Sequence, residues 1–154
     1  MSPSNQISVL SPLILGGATT LCTIIVHVLI LMSIVTAAHR ILLRGQVGLR
    51  HWANFLFVMS ATLLAFAGHL VEIGLWALSF LLCGEFSDLA AAFYYSAANY
   101  TTVGDGTMVI SARWRLMGPL EAADGMLLFG VSTAAIFAVI QRLVQPSFRE
   151  RNNG

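Results

Sequence analysis

Apolar residues fill three long stretches of the chain, from about Pro12 to Ala38, from Trp52 to Cys83 and from Pro119 to Val144. Each stretch is at least as long as the roughly 20 residues that a helix needs to cross the hydrocarbon core of a membrane. A fourth apolar stretch, Leu89–Tyr100, has only about 12 residues, which suits a helix that enters the membrane without crossing it. The pattern therefore predicts three transmembrane helices with a re-entrant helix between the second and the third.

The composition agrees with an all-α integral membrane protein. Hydrophobic residues make up 57% of the chain and charged residues 10%, against about 25% charged in an average soluble protein. This balance excludes a disordered tail, a nucleic-acid-binding protein with a basic surface and an ordinary cytosolic enzyme. Cys22 and Cys83 both lie in apolar stretches, so a disulfide scaffold is excluded too. Membrane lipid is the expected surrounding, and no nucleic-acid partner is expected.

The arginines predict the orientation. Six of the eight basic residues lie within 40–50 or 142–151, whereas Arg113 and Arg115 fall on the opposite side of a three-span topology. Because basic loops stay in the cytoplasm, we expect a cytoplasmic C-terminus and an external N-terminus. Residues 1–10 carry no basic residue, so the first stretch is expected to be a retained helix and not a signal peptide. A bacterial inner membrane is the expected location.

The segment between the second and third spans changes character after Tyr100. Ser87 and Asp88 suit a helix start, the serine as N-cap and the acid next to the positive end of the helix dipole. The β-branched residues and glycines of 101–106 disfavour further helix. A short helix is therefore followed by an extended strand at membrane depth. Irregular backbone survives there only where protein or a water-filled path surrounds it, which favours a pore.

Residues 101–106 read Thr-Thr-Val-Gly-Asp-Gly, which resembles the selectivity filter of the tetrameric potassium-channel family, usually Thr-Val-Gly-Tyr-Gly. The similarity extends to the aromatic pair and serine at 94–96, to Trp114 and to the inner-helix segment 125–135. It covers roughly residues 54–144 and does not extend to the first helix. The string Thr-Val-Gly-Asp-Gly also resembles the filter of the non-selective NaK-type bacterial cation channels.

The resemblance implies a homotetramer with one ion path, no cofactor, and K⁺ and Na⁺ as permeant ions. In such a filter, backbone carbonyls from four chains replace the hydration shell of the cation. The implied ion-binding residues are Thr102, Val103, Gly104, Asp105 and Gly106. The implied filter supports are Thr101, Thr107, Tyr94 and Tyr95. Gly125 resembles the gating-hinge glycine of the family, with Gly130 as the alternative, although close helix packing also explains either glycine.

The expected organisation has an extra helix and arginine-containing loop (1–51), a pore domain (52–145) and a short cytoplasmic tail (146–154). Within the pore domain we expect an outer helix at 52–84, a pore helix at 87–100, the filter at 101–106 and an inner helix at 115–145. The first helix is expected to pack at the periphery, where it could fix the assembly or bind a partner.

Three positions depart from the potassium-selective pattern. Asp105 replaces the filter tyrosine, Thr107 replaces the following aspartate, and Ala98 stands where a buried carboxylate often supports the filter. Weaker support favours poor discrimination between K⁺ and Na⁺, and four Asp105 side chains could also attract a divalent cation to the outer mouth. The alternative is a K⁺-selective channel, in which Asp105 bonds to backbone amides or to the hydroxyl of Tyr94 or Tyr95.

Five histidine or acidic residues lie inside the predicted spans, where ionisable groups are expensive to place. His69 and Glu72 share a helix face, either as a proton-sensitive pair or as a hydrogen-bonded brace. We expect Glu121 and Asp124 either to face the extracellular mouth or to brace the back of the filter. His27 is interpreted as a packing residue.

Three other classes of function have weaker support in the sequence. His27 and His69 could bind haem or a metal ion, but no flanking pattern supports ligation. No nucleophile–base spacing or metal-ligand motif indicates an enzyme. An accessory subunit with a non-conducting filter stays open as an alternative. No gating stimulus can be identified, since the first span lacks the spaced arginines of a voltage sensor.

Overall fold

The computed structural model describes residues 9–43, 51–104 and 106–152, and it leaves Arg44, Arg50 and Asp105 outside this part of the chain. The described residues form four helices and no strand. These are α1 (Leu10–Leu43), α2 (His51–Leu82), α3 (Leu89–Tyr100) and α4 (Met117–Asn152). Three of them are long and apolar enough to cross a membrane, over Leu10–Ile41, Trp52–Leu82 and Met117–Arg142. The predicted all-α fold with three spans and a short intervening helix is confirmed.

Details of the helix ends differ from the prediction. Asp88, and not Ser87, is the N-cap of α3, because its carboxylate accepts a hydrogen bond from the Ala91 amide at 2.9 Å. At the other end of the chain, α4 continues through most of the segment that was expected to be a separate tail. Residues 147–152 contain no glycine or proline to end the helix.

The helices pack in one bundle, with α1 against α2 and α4, and with α3 between α2 and α4. One apolar cluster surrounds α3 and comprises Ile73, Trp76, Phe80, Tyr95, Tyr100, Ile110 and Met117. A second lies at the opposite end of the long helices and comprises Ile34, Ala38, Ala61, Ala65 and Val139. Along α2, the polar residues His69 and Glu72 lie between the two clusters, so the middle of the bundle is polar.

Large apolar side chains cover much of the outer surface of the long helices. Examples are Leu21, Leu29, Leu63, Phe66, Leu127 and Phe137, each more than half exposed in the single chain. A soluble monomer rarely exposes apolar area on this scale, so these faces suit lipid or neighbouring membrane helices. The chain is an integral membrane protein.

Candidate functional site

Residues 101–107, which contain the predicted filter at 101–106, follow directly after α3, and we call this non-helical segment the filter strand. The Thr101 amide and hydroxyl both donate to the Ala97 carbonyl, at 3.1 and 2.7 Å. The Gly104 amide donates to the Ala98 carbonyl at 2.9 Å. These bonds use carbonyls that the last turn of a helix leaves without intrahelical partners, so they fix the start of the strand against α3.

The backbone of the filter strand is left-handed at two positions. Thr102 has a φ of 62° and Gly104 a φ of 71°. Glycine adopts this region freely, but a β-branched residue there is an outlier. Such strain concentrates at functional sites, where the surrounding structure imposes it. Val103, between the two, is 81% exposed, and the described filter residues are all exposed in the single chain.

Two buried carboxylates, one from α2 and one from α4, are hydrogen-bonded to side chains of α3. The Ser96 hydroxyl lies 2.9 Å from the Ile73 carbonyl and is in close hydrogen-bond contact with Glu121, which is fully buried. The Tyr100 hydroxyl donates to Glu72 of α2 in an equally close contact. Ala98 supplies no carboxylate, but α2 and α4 each provide one. The N-terminal end of the filter strand is therefore anchored through Ser96 and Tyr100.

A row of buried polar side chains joins α1 to the rest of the bundle, and we call it the polar seam. Its members are Thr19, Thr23, His27, His69, Glu72, Trp76, Ser79, Asp124 and Ser132. Near α3, the Thr19 and Ser79 hydroxyls are 2.8 Å apart. One oxygen of Asp124 accepts from the Thr23 hydroxyl at 2.7 Å and from the Trp76 indole at 2.9 Å. Asp124 thus braces α4 against both α1 and α2.

The centre of the polar seam contains two histidines on one carboxylate. His27 Nδ1 lies 2.8 Å from Glu72 Oε1, and His69 Nδ1 lies 2.9 Å from Glu72 Oε2. The two imidazole centroids are 5.3 Å apart. Ser132 on α4 approaches the far nitrogens of both rings, at 3.3 and 3.2 Å. His69 and Glu72 are therefore a hydrogen-bonded pair, and His27 is a third member of their cluster.

The segment after the filter strand is fixed at Glu85, just beyond the C-terminal end of α2. Ser111 donates to Glu85 through its amide at 2.7 Å and through its hydroxyl at 2.6 Å. Ile110 is buried in the cluster around α3, and the Arg113 guanidinium lies 5.0 Å from the Trp114 ring. Both ends of the filter strand are thus anchored within the chain, whereas its middle is exposed.

The two predicted tyrosine supports take different positions. Tyr94 is 58% exposed. The Tyr95 ring is buried, with centroids 5.1 Å from both Phe80 and Phe86, and this burial raises the pKa of its hydroxyl. Nearby, burial raises the pKa of the Cys83 thiol to about 11, so the thiol stays protonated at neutral pH. Tyr95 is therefore part of the core that carries α3.

Gly125 and Gly130 have different surroundings. A Cβ at Gly125 would lie 2.1 Å from the Tyr100 carbonyl oxygen, so only glycine lets α4 approach the end of α3 this closely. A Cβ at Gly130 would meet nothing within 4 Å. Close packing against α3 therefore explains why a glycine stands at position 125. Packing within the chain does not require a glycine at position 130.

Sequence reasoning missed Tyr100, Trp76 and Ser132 as members of these networks. A signal for the polar seam was present in α1, where Thr19, Thr23 and His27 follow one another at intervals of four residues. That spacing puts all three on one helix face, and a polar stripe in an apolar span predicts a protein-facing side.

Comparison with known proteins supports the assignment of the central region. Residues 68–142 match a family model described as an ion channel. The matched segment runs from the second half of α2 through α3 and the filter strand to the end of the third span. It leaves out α1 and the first half of α2. No curated protein and no solved structure gave a significant match to the chain. The match to residues 68–142 supports an ion-channel family for this chain.

Proposed function

We propose that the chain is one subunit of a homotetrameric channel through which monovalent cations flow passively, with K⁺ and Na⁺ both permeant. The observation that carries this proposal is the left-handed backbone at Thr102 and Gly104, in an exposed strand directly after α3. Left-handed residues in alternation with an ordinary one turn successive carbonyls towards one side, as a filter of backbone oxygens needs.

The exposure of the filter strand supports the homotetramer. A single chain offers the carbonyls of one strand, which leaves most of the coordination shell of a cation open. Val103 is 81% exposed although it lies between two anchored ends. Three further copies around a common axis would cover the strand and complete the ion sites, with Thr102, Val103, Gly104, Asp105 and Gly106 as the lining residues.

The residues at the outer end of the strand depart from the potassium-selective pattern, and this favours weak discrimination between K⁺ and Na⁺. At the inner end, Glu72 holds Tyr100 directly before the filter residues. At the outer end, Asp105 and Thr107 replace the tyrosine and the aspartate that the potassium-selective pattern has. A widened outer end would leave fewer dehydrated sites in sequence, and selectivity depends on the number and field of such sites. Asp105 also places negative charge where a divalent cation could bind.

For the remaining features, we propose an external N-terminus, a cytoplasmic C-terminus and a bacterial inner membrane as the location. Bending of the inner helix is assigned to Gly130, because Gly125 is packed against Tyr100 and a bend there would disturb the end of α3. No cofactor takes part in conduction.

The test is the reversal potential of the purified protein in a planar bilayer, with K⁺ on one side and Na⁺ on the other. We expect a value near zero. The matched variant carries Asp105→Tyr together with Thr107→Asp, and it should move the potential towards the K⁺ equilibrium value.

A wild-type potential near the K⁺ equilibrium value would overturn the proposed weak discrimination, but the protein would still be a cation channel. Absence of current from the protein alone, in preparations that are folded and tetrameric, would overturn conduction and favour the accessory subunit.

A further inference from the structure

Three side chains with metal-binding atoms meet in the middle of the polar seam. They are His27 of α1 and His69 and Glu72 of α2, and each is less than 5% exposed. One ligand-type atom of each lies within 4.8 Å of those of the other two. The Nδ1 atoms of both histidines point at the same carboxylate, at 2.8 and 2.9 Å.

A fourth donor comes from the end of α3. The Tyr100 hydroxyl lies 3.1 Å from His69 Nδ1 and in close contact with Glu72 Oε2. Two imidazole nitrogens and two kinds of oxygen therefore converge from three helices. Nitrogen and oxygen donors in this number suit a four-coordinate Zn²⁺ ion.

The far edges of the two rings allow the placement of protons that a metal ion between the Nδ1 atoms would require. The Ser132 oxygen lies 3.3 Å from His27 Nε2 and 3.2 Å from His69 Nε2. Its two lone pairs can accept an N–H from both rings, which leaves both Nδ1 lone pairs facing Glu72. If both Nδ1 atoms carried the protons instead, the single Ser132 proton could serve only one Nε2. With neutral rings, a cation between the Nδ1 atoms and Glu72 satisfies every one of these contacts.

We propose that these four groups form a binding site for a divalent transition-metal ion of the Zn²⁺ class. Tetrahedral bonds of about 2.0–2.1 Å separate ligand atoms by about 3.3 Å, a few tenths of an ångström more than the contacts of His27 with Glu72 and of His69 with Glu72 and Tyr100. The closer contact between Tyr100 and Glu72 must open further for the ion to enter. Binding replaces the Tyr100 O–H bond by a metal–oxygen bond and releases one proton. The carboxylate and the phenolate then neutralise the dication, as an apolar interior requires.

The Ser132 contacts complete the arrangement. Metal-bound histidines almost always donate their other N–H to an oxygen, which fixes the tautomer and the ring orientation. Ser132 accepts from both rings and joins α4 to the site. Four protein ligands leave no open position, so the ion is structural and not catalytic. It would tie α1 to the pore helix one residue before the filter strand.

The test begins with the metal content of the wild-type protein, purified from zinc-containing medium without chelators and measured by mass spectrometry. We expect one Zn²⁺ per chain. Metal-free protein titrated with Co²⁺ should give the visible absorption of a tetrahedral site. His27→Gln and His69→Gln should each lose the ion. His39→Gln, at an exposed position of α1, is the matched control and should keep it.

Two further variants distinguish this site from an ion at the pore mouth and from a cluster that only packs. Asp105→Asn should retain the metal, because the ion is not held at the pore mouth. Ser132→Ala keeps all four ligands and should weaken the affinity for Co²⁺ by about 10–100-fold, an effect that a packing role alone would not produce.

Wild-type protein that contains no metal and gives no Co²⁺ spectrum would overturn the proposal, even if the histidine variants fail to fold. Retention of one ion by both histidine variants would overturn it as well. None of these measurements uses ion flux, so they stand apart from the test of conduction.

Discussion

The polar seam and the filter strand are two polar regions in the same apolar bundle. They differ in how far the single chain buries them. In the polar seam, Thr23, Asp124 and Trp76 find their partners within one chain, and all are buried. In the filter strand, the described residues after Thr101 are exposed, and Thr102 is held in a strained backbone conformation. The single chain thus completes the seam and leaves the filter open.

This difference separates structure from function. A buried polar network is costly unless every member is paired, so the polar seam fixes how α1, α2 and α4 pack. A strained, exposed backbone does not stabilise its own chain. Such strain is typical of sites that bind a ligand or contact a partner. Substitutions in the seam should therefore change folding, and substitutions in the strand should change conduction.

The largest effect is expected from Glu72, which is bonded to two histidines and to Tyr100. Glu72→Ala leaves these buried groups without their shared partner, and it should lower the free energy of unfolding by about 3–5 kcal/mol. Glu85→Ala, at a partly exposed carboxylate bonded to Ser111, is the matched control and should cost far less. Unfolding in detergent, followed by tryptophan fluorescence, measures both. Equal losses would contradict the assignment of the seam as the structural centre.

A methyl group at Gly125 should have the next largest effect. Gly125→Ala places a carbon 2.1 Å from the Tyr100 carbonyl oxygen, so α3 and α4 must separate. We expect a loss of about 1–3 kcal/mol in unfolding free energy, as overpacking usually costs. Gly130→Ala meets no atom and should be neutral or slightly stabilising. A stable, conducting Gly125→Ala protein would show that the close approach of the two helices is not needed.

Thr23 tests a single bond of the polar seam. Thr23→Val keeps the shape and removes the hydroxyl that donates to Asp124 at 2.7 Å. Asp124 then loses one of its two buried hydrogen bonds, which should lower the free energy of unfolding by about 1–3 kcal/mol. Thr62→Val removes a hydroxyl that bonds only to the Val58 carbonyl on an exposed face of α2, and we expect almost no change. The difference between the two variants isolates the contribution of α1.

The smallest effect on stability is expected at Thr102. Thr102→Gly relieves a left-handed β-branched residue, so the unfolding free energy should stay level or rise by up to about 1 kcal/mol. Conduction should fall, because the variant removes a hydroxyl at the inner end of the filter and loosens the backbone. A variant that loses stability and keeps its current would reverse the roles given to the two regions.

The sequence predicted the architecture well because length and apolarity decide it. The three spans and the short helix α3 follow from the lengths of the apolar stretches alone. The predicted stretch for α3 has the same bounds as the observed helix, Leu89–Tyr100. The site was predicted less completely. Of the two acids proposed as braces behind the filter, Glu121 does contact α3, whereas Asp124 contacts α1 and α2. The contact of Glu72 with α3 was not predicted. Contacts such as Tyr100 with Glu72 join residues 28 positions apart, which no local pattern encodes.

In the proposed assembly, the filter strand is incomplete in one chain and is completed by three more. Native mass spectrometry of the protein in lipid nanodiscs tests it most directly, since each chain contributes 16.6 kDa. We predict a particle of four chains, as four converging strands require. A conducting preparation that contains one or two chains per particle would contradict the proposed tetramer.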